Sequence, residues 1–270
     1  MGGREVVGLI AGAGRLPVLL ATAAKSRGHS VVAVIVEGDG SALAGVVDAS
    51  YRAGFGEMRR IIDLFTSRGV RRVLFAGRVS RARMVGEGDE VFRERVQRLG
   101  NRGDQMVFQQ VGVEMLSQAG IDVASPFEFV GHLRVDEGIL TSRAPTDSEW
   151  EDVRVGMRLA RAVSALDLGQ TVVLKHGIVL AVEAAEGTDE AIRRGGSYAQ
   201  GVAVAKAARP HQDQRFDIPA VGLQTIETMV GVRAAVLAVE AGGTLLLDRD
   251  ECLALADRSG ITIVGVPLSS

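Results

Sequence analysis

A polar segment between two prolines has the richest mixture of charges in the chain. Residues 210–219 read Pro-His-Gln-Asp-Gln-Arg-Phe-Asp-Ile-Pro. Asp213 and Asp217 carry carboxylates, which hold Mg²⁺ or orient water, and Arg215 can neutralise phosphate oxygens. Because phosphoryl transfer needs this division of labour, the segment predicts a phosphate site. The alternative is a surface loop with ion pairs, which would add little stability.

More cations precede this segment. Lys206 and Arg209 lie within eight residues of Asp213 and are also predicted to contact phosphate. His211 lies among them, but a single loop histidine without an evident partner is more often a hydrogen-bonding residue than a general base. The four histidines and the single cysteine show no zinc-type spacing, so a transition-metal site is not expected.

A second concentration of charge follows an apolar run. Residues 183–190 read Glu-Ala-Ala-Glu-Gly-Thr-Asp-Glu and place four carboxylates in eight positions. Gly187 permits a tight turn, and Thr188 or Asp189 can cap the helix that follows. A capped surface helix explains Asp189 but explains Glu183, at the end of a strand, less well. A non-catalytic nucleotide-sugar binding protein, in which this cluster would hold ribose or sugar hydroxyls, stays open as an alternative.

Near the start of the chain, a glycine loop connects a predicted strand to a predicted helix. It reads Gly-Ala-Gly-Arg-Leu-Pro over residues 12–17, and its backbone amides are candidates for holding phosphate. The dinucleotide fingerprint requires a third glycine where Pro17 stands, although Glu37 could take the place of its ribose-binding acid. A nicotinamide-dependent oxidoreductase stays open as an alternative, as does a tight turn without a ligand. Arg78 follows another strand and is expected at the same sheet edge.

Strands alternate with helices along the whole chain. Strands are predicted at 5–11, 31–36, 72–76 and 121–124, with helices at 17–26, 56–67 and 106–119. The second half repeats the alternation. Its predicted helices lie at 149–166 and 224–234, and its predicted strands lie at 171–175, 178–183, 202–206, 235–239 and 262–266. The fold class is therefore α/β, with a Rossmann-like parallel sheet in a first domain (1–132) and a second α/β domain (133–270). We expect a cleft between these domains.

Bulk composition excludes several classes of function. Lysine and arginine total 31 against 33 acidic residues, and aromatic residues make up 4%, so no nucleic-acid partner is expected. No apolar run reaches the length of a membrane span, and the N-terminus has no signal-peptide pattern, which indicates a cytoplasmic protein. The single cysteine, Cys252, lies among apolar residues and is expected to be buried rather than reactive.

Taken together, the motifs resemble those of the LpxI family of UDP-2,3-diacylglucosamine pyrophosphatases. The matching segments lie at residues 11–17, 76–79, 103–104, 169–173, 183–189 and 212–219, followed by Gly222 and Thr225. The segments Glu-Gly-Thr-Asp and Gln-Asp-x-Arg-Phe-Asp are specific as a pair, whereas the glycine loop alone is not. Arg209 stands where lysine is expected before Pro210, and this exchange keeps the charge.

The resemblance implies a Mg²⁺-dependent hydrolase of lipid A biosynthesis that splits UDP-2,3-diacylglucosamine into UMP and 2,3-diacylglucosamine 1-phosphate. The resemblance also implies that water attacks the β-phosphorus. It implies catalytic roles for Asp213, Asp217 and Asp189, with Asp213 and Asp217 as metal ligands. The expected substrate-binding residues are Gly12, Gly14, Arg15, Leu16, Gly77, Arg78, Lys175, Glu183, Glu186, Gly187, Thr188, Arg194, Lys206, Gln212, Arg215 and Thr225. A lipid-linked substrate also suggests peripheral contact with the inner membrane, and a homodimer is a further expectation.

Overall fold

The chain forms two compact units in a computed structural model. The structure describes residues 4–79, 89–99, 105–210, 213, 215, 216 and 218–267. The first unit comprises Met1–His132 together with Asp213–Asp217, and the second comprises Leu133–Gln212 and Ile218–Ser270. Five residues from the second half of the sequence therefore belong to the first unit.

A five-stranded parallel sheet forms the centre of the first unit. Its strands are β1 (Val6–Ala11), β2 (Ser30–Ile35), β3 (Ala49–Arg52), β4 (Arg72–Ala76) and β5 (Asp122–Val123). They lie in the order β3-β2-β1-β4-β5, which confirms the Rossmann-like parallel sheet. Strand β3 was not among the predicted strands, because this edge strand is short and alternates half-buried with exposed residues instead of forming an apolar run.

Helices complete the first unit. They are α1 (Leu16–Ser26), α2 (Met58–Ser67), α3 (Glu90–Leu99), α4 (Gln105–Gln118) and α5 (Phe127–Val130). Strands β1 and β2 are buried on both faces, as the central strands of a covered parallel sheet must be. Met58, Ile61 and Phe65 of α2 recur at helical spacing and are buried in the core of this unit, as the periodicity predicts.

The second unit contains a mixed six-stranded sheet. Its strands are β6 (Gly138–Ile139), β7 (Thr171–Lys175), β8 (Ile178–Val182), β9 (Ala203–Lys206), β11 (Val236–Glu240) and β13 (Thr262–Val266), in the order β6-β13-β11-β9-β7-β8. Two short strands, β10 (Ala220–Val221) and β12 (Leu245–Leu246), pair separately. The helices are α6 (Asp147–Ala165), α7 (Thr188–Gly196), α8 (Leu223–Gly231) and α9 (Arg249–Arg258). The prediction of a second α/β half is confirmed.

Strand direction in this sheet brings distant parts of the sequence to one edge. Strands β9, β11 and β13 are parallel, whereas β7 runs antiparallel to β9. The first residue of β7, Thr171, therefore lies opposite the last residue of β9, Lys206. Strand β8 ends beside the start of β7, and β11 ends beside Lys206. We call this the Lys206 edge, and it gathers the residues around Thr171, Glu183, Lys206 and Glu240.

Helix α9 was missed by the sequence prediction because its apolar residues form one run, at 252–256, and do not recur at helical spacing. Its buried residues are Cys252 and Ala256. Cys252 has no exposed surface, and its Sγ donates to the Leu247 carbonyl at 3.1 Å. Burial raises the pKa of the Cys252 thiol to about 12, so the thiolate does not form near neutral pH. The expected buried, unreactive thiol is confirmed.

The helices in the described ranges include none with the length and apolarity needed to cross a bilayer.

Candidate functional site

Two glycine motifs of the first unit are joined by backbone hydrogen bonds. The Gly12 amide donates to the Ala76 carbonyl at 2.7 Å, and the Ala13 amide donates to the Arg78 carbonyl at 2.8 Å. Arg78 returns a bond from its own amide to the Ala13 carbonyl at 2.8 Å. These bonds join the ends of β1 and β4, so exposed Arg15 and Arg78 both lie at the carboxyl edge of the parallel sheet.

Glycine is required here by close approach of the two backbones. Gly77 has φ +88°, and a Cβ on it would lie 2.7 Å from the Ala13 carbonyl oxygen. A Cβ on Gly12 would lie 2.6 Å from the Arg78 carbonyl oxygen. Because the amides of Gly12 and Ala13 are already bonded, any anion-binding role passes to the amides from Gly14 to Leu16 and to arginine side chains. For the same reason, the amides of Gly12 and Ala13 are not available to donate to the pyrophosphate of a nicotinamide dinucleotide.

The Asp213–Asp217 segment is attached to the first unit through an aromatic residue. Phe216 is 3% exposed, and its ring centroid lies 4.7 Å from that of Phe75 on β4. Such a contact buries the large apolar surface of the Phe216 ring. The predicted site residues Gln212 and Asp217, and also His211, lie outside the described residues.

Asp213 is paired with the arginine two residues later. Arg215 Nη2 donates to Asp213 Oδ2 at 2.7 Å, and Nε and the backbone amide both reach Oδ1 at 3.0 Å. These hydrogen bonds from Arg215 lower the pKa of the Asp213 carboxyl, and the same side-chain bond raises the pKa of Arg215. The segment therefore presents an ionised, exposed carboxylate beside a charged guanidinium.

A buried lysine organises the Lys206 edge of the second unit. Lys206 is 6% exposed, and its Nζ donates to Thr188 Oγ1 at 2.8 Å. The Thr188 hydroxyl donates in turn to Glu183 Oε1 at 3.1 Å and lies 3.4 Å from the Thr171 hydroxyl. The hydroxyl of Thr188 thus links a buried cation to a half-buried anion.

The carboxylate of Glu183 is stabilised from several directions. Burial would raise the pKa of Glu183, but the Lys206 ammonium and the hydrogen bonds from Thr171, Thr188 and the Gln170 amide bring that pKa below its usual value. The backbone beside it is tightly packed, because a Cβ on Gly169 would lie 2.1 Å from the Glu183 carbonyl oxygen. The segment before β7 therefore fits directly against the end of β8.

Neither Thr188 nor Asp189 caps helix α7, contrary to the sequence prediction. The N-cap is Gly187, which makes no side-chain cap bond. Thr188 instead bonds Lys206 and Glu183, while Asp189 Oδ1 accepts a 2.9 Å bond from the Thr225 hydroxyl. Both side chains are used in tertiary contacts, and so the structure connects the acidic cluster to β9 and to α8.

Two other predicted residues, Arg194 of α7 and Glu186, are paired. Arg194 Nη2 donates to the Glu186 carboxylate and to the Val182 carbonyl. Arg194 and Glu186, together with Arg193 and Glu190, line an open groove of about 670 Å³. Lys175 is not brought to this region. It ends β7 at the opposite edge of the sheet, where its Nζ donates to the Gly201 carbonyl at 2.8 Å.

Sequence reasoning did not assign roles to three residues of the Lys206 edge. Thr171 and Gln170 bond Glu183, and they belong to a motif that was noted only for its resemblance. Glu240 ends β11 with 4% exposure, and burial raises its pKa against the opposing effects of the Ala208 amide and Arg161. The sequence signal for Glu240 was its position directly after a continuous apolar run, because a carboxylate there lies at the carboxyl end of a parallel strand.

The described residues were considered for a Mg²⁺ site. No three histidine, cysteine, aspartate or glutamate side chains converge among them. Mg²⁺ is commonly held by one or two carboxylates together with substrate phosphates, and the exposed, ionised carboxylate of Asp213 fits that pattern. Asp217, the other expected ligand, lies outside the described residues.

The solved structures that this chain matches are remote from it. An N5-carboxyaminoimidazole synthetase from Staphylococcus aureus is 15% identical, with 66% of this chain and 41% of that chain covered and a TM-score of 0.26. The corresponding ribonucleotide synthetase from Thermotoga maritima is 20% identical, with 67% and 42% covered and a TM-score of 0.25. This chain spans under half the length of either protein, and these likenesses are too weak to bear on function.

Sequence comparison is much more informative. A relative from Caulobacter vibrioides (strain ATCC 19089 / CIP 103742 / CB 15), named UDP-2,3-diacylglucosamine pyrophosphatase LpxI, is 30% identical over 280 residues, covering 96% of this chain and 97% of its own. The family model for the LpxI N-terminal domain matches residues 6–133, and the model for the LpxI C-terminal domain matches residues 136–264. Since the matches include both clusters of site residues, the chain belongs to the LpxI family.

Proposed function

We propose that this chain hydrolyses the pyrophosphate of UDP-2,3-diacylglucosamine to UMP and 2,3-diacylglucosamine 1-phosphate. The observation that carries the proposal is the match, over nearly the full length of both chains, to a relative named for that activity. The structure adds a chemical reason, because the residues that the family motifs contain carry guanidinium, ammonium and carboxylate groups.

In the first unit, Arg15, Arg78 and Arg215 are proposed to bind the diphosphate oxygens. Arginine suits this role because its planar fork donates two parallel hydrogen bonds to a phosphate. Phosphate oxygens compete with Asp213 for the Arg215 guanidinium, and any bond that Arg215 gives to phosphate releases part of the Asp213 carboxylate. Asp213 then orients the attacking water and accepts its proton.

In the second unit, Lys206 and Thr188 are proposed to stabilise charge on the phosphoryl oxygens. Burial strengthens the interaction of Lys206 with an anion, and Glu183 keeps the ammonium in place before substrate binds. Asp189, held by Thr225, positions the amino end of α7. Water forms a new P–O bond at the β-phosphorus while the bond to the UMP oxygen breaks, so UMP is the leaving group.

Magnesium is proposed as the cofactor, with Asp213 and Asp217 as its protein ligands. When bound with the diphosphate, Mg²⁺ neutralises negative charge on the phosphoryl oxygens. The lipid part of the substrate requires the protein to reach a membrane surface. Peripheral membrane contact is therefore a prediction, to be checked by vesicle sedimentation. A homodimer is a separate prediction, to be checked by light scattering.

Phosphorus NMR of UDP-2,3-diacylglucosamine with the purified protein tests the proposal directly. With Mg²⁺, the two pyrophosphate signals are expected to disappear while those of UMP and the sugar phosphate grow, and excess EDTA should stop the reaction. Asp213→Asn should slow turnover by roughly 100-fold or more with circular dichroism unchanged. An unchanged pyrophosphate signal with wild-type protein would leave only a binding function, and full activity of Asp213→Asn would remove Asp213 from the mechanism.

A further inference from the structure

The side chain of Gln170 has a buried donor without a partner among the described residues. Its Nε2 atom has almost no exposed surface, and no described residue accepts a hydrogen bond from it. Leaving a buried amide donor unpaired costs about 1–3 kcal/mol. A residue at such a position needs a reason other than the stability of the ligand-free protein.

The backbone of Gln170 is fixed on both sides. Its amide donates to Glu183 Oε2 at 3.3 Å, and its carbonyl accepts from the Ala207 amide at 3.0 Å. One residue later, Thr171 lies opposite Lys206 in the sheet. The side chain of Gln170 therefore extends from a fixed backbone position at the Lys206 edge, next to the groups proposed to act on the diphosphate.

The neighbouring charges define the ligand group that suits this donor. The Glu183 carboxylate is already stabilised by Lys206, Thr171, Thr188 and the Gln170 backbone amide. The buried ammonium of Lys206 favours an anion nearby, and phosphoryl oxygens are acceptors that pair with a neutral amide donor. A donor of this kind adds no net charge to a site that already contains cations.

We propose that Gln170 is a substrate-binding residue whose carboxamide donates a hydrogen bond to a phosphoryl oxygen of the diphosphate. The inference rests on the proposed function and adds a contact that the motif analysis did not assign. A substrate-binding Gln170 and a structural Gln170 predict different effects of replacing the side chain. Replacing a donor that is unpaired without ligand removes a penalty from the free protein, while binding loses a hydrogen bond.

Gln170→Leu tests this difference, with Gln200→Leu as the matched control. Gln200 is exposed, near the opposite edge of the same sheet. For Gln170→Leu we expect a melting temperature equal to or above that of wild type in the absence of ligand. We also expect KM for UDP-2,3-diacylglucosamine to rise roughly tenfold, the equivalent of one hydrogen bond of about 1.4 kcal/mol. Gln200→Leu should change neither KM nor kcat.

Calorimetric titration with UMP, and separately with 2,3-diacylglucosamine 1-phosphate, provides a readout independent of turnover. Gln170→Leu should weaken binding of at least one of these phosphates by roughly fivefold or more. A melting temperature several degrees below that of Gln200→Leu would show a structural amide and overturn the inference, as would unchanged KM and unchanged affinity for both phosphates. If wild-type protein neither turns over the substrate nor binds either phosphate, the proposed function itself fails, and the assignment of Gln170 fails with it.

Discussion

At the residue scale, the pairing of Asp213 with Arg215 determines the charge that the segment carries. Both Asp213 carboxylate oxygens accept bonds from the guanidinium, which holds the Asp213 pKa below its ordinary value of 3.8. A carboxyl group whose pKa is lowered by folding is ionised at every pH above the lowered pKa. Its stabilising contribution is complete above the ordinary pKa and is lost as the pH falls through the lowered pKa. Asp213 is therefore ionised throughout the neutral range.

The pKa of Asp213 can be measured directly. Carbon-13 NMR of the aspartate carboxyl groups, with Asp213 assigned from Asp213→Asn, should give a titration midpoint below 3.8. In Arg215→Met the midpoint should return toward the ordinary value, because the first cause of the shift is removed. A wild-type midpoint above 3.8, or one that Arg215→Met leaves in place, would contradict the pairing.

The Thr188 hydroxyl joins Lys206 to Glu183 through a single oxygen atom. Thr188→Val keeps the side-chain shape but removes the link between Lys206 and Glu183. We expect the free energy of unfolding to fall by about 1–3 kcal/mol, because a buried ammonium and a half-buried carboxylate lose a partner. Chemical denaturation measures this change, and phosphorus NMR should show a parallel loss of turnover.

Two further substitutions control for the change of chemistry. Thr188→Ser keeps the hydroxyl and should recover most of the activity. Thr66→Val makes the same replacement at an exposed position of α2 and should leave stability and turnover near wild type. Equal losses in Thr188→Val and Thr188→Ser would show that the methyl packing, and not the hydroxyl, matters at this position.

At the scale of elements, the joined ends of β1 and β4 determine where Arg15 and Arg78 lie. Gly77 meets two conditions together, a positive φ of +88° and a carbonyl oxygen 2.7 Å from where a Cβ would be. Gly69 meets only the first, with φ +71° and no atom within 4 Å of a Cβ. The two glycines separate the effect of backbone strain from the effect of close approach.

Alanine substitutions at these glycines should therefore differ. Gly69→Ala should cost about 1–2 kcal/mol from the left-handed backbone alone. Gly77→Ala should cost more, since β4 and the glycine loop must also move apart, and turnover should fall because Arg78 moves with them. Urea unfolding and the NMR assay measure the two effects, and equal destabilisation by the two substitutions would argue against the close approach.

At the scale of the whole molecule, the chain places five residues of its second half in the first unit. Phe216 is the buried contact that holds this segment against Phe75. The carboxylate at position 213 therefore depends on an aromatic contact for its position, in addition to its own pairing with Arg215. Small displacements of catalytic groups have large effects on rate.

Phe216→Leu tests that dependence, with Phe65→Leu as a matched change in the same unit. Phe65 is a fully buried residue of α2. Each substitution should lower stability by about 1–2 kcal/mol, but only Phe216→Leu should speed amide exchange in the 213–217 segment and reduce kcat/KM, by roughly fivefold. Similar kinetic losses in both variants would show a general effect of destabilisation.

The sequence by itself determined the elements and the chemical groups of this protein. The apolar runs at β1, β2 and β4, alternating with amphipathic helices such as α2, were enough to predict a parallel sheet, because periodicity is a local property of the chain. Family motifs then associated the charged segments with phosphate chemistry. Local pattern missed β3, which has no apolar run, and α9, whose apolar residues form one run without helical spacing.

Only the tertiary structure decided which groups meet. Lys175 and Lys206 both end strands, but β7 and β9 are antiparallel, so the two ammonium groups lie at opposite edges of the sheet. Thr188 looked like a helix cap and instead links a lysine to a glutamate that lie 18 and five residues away in sequence. Strand order and direction come from long-range pairing, and residue spacing along the chain does not contain them.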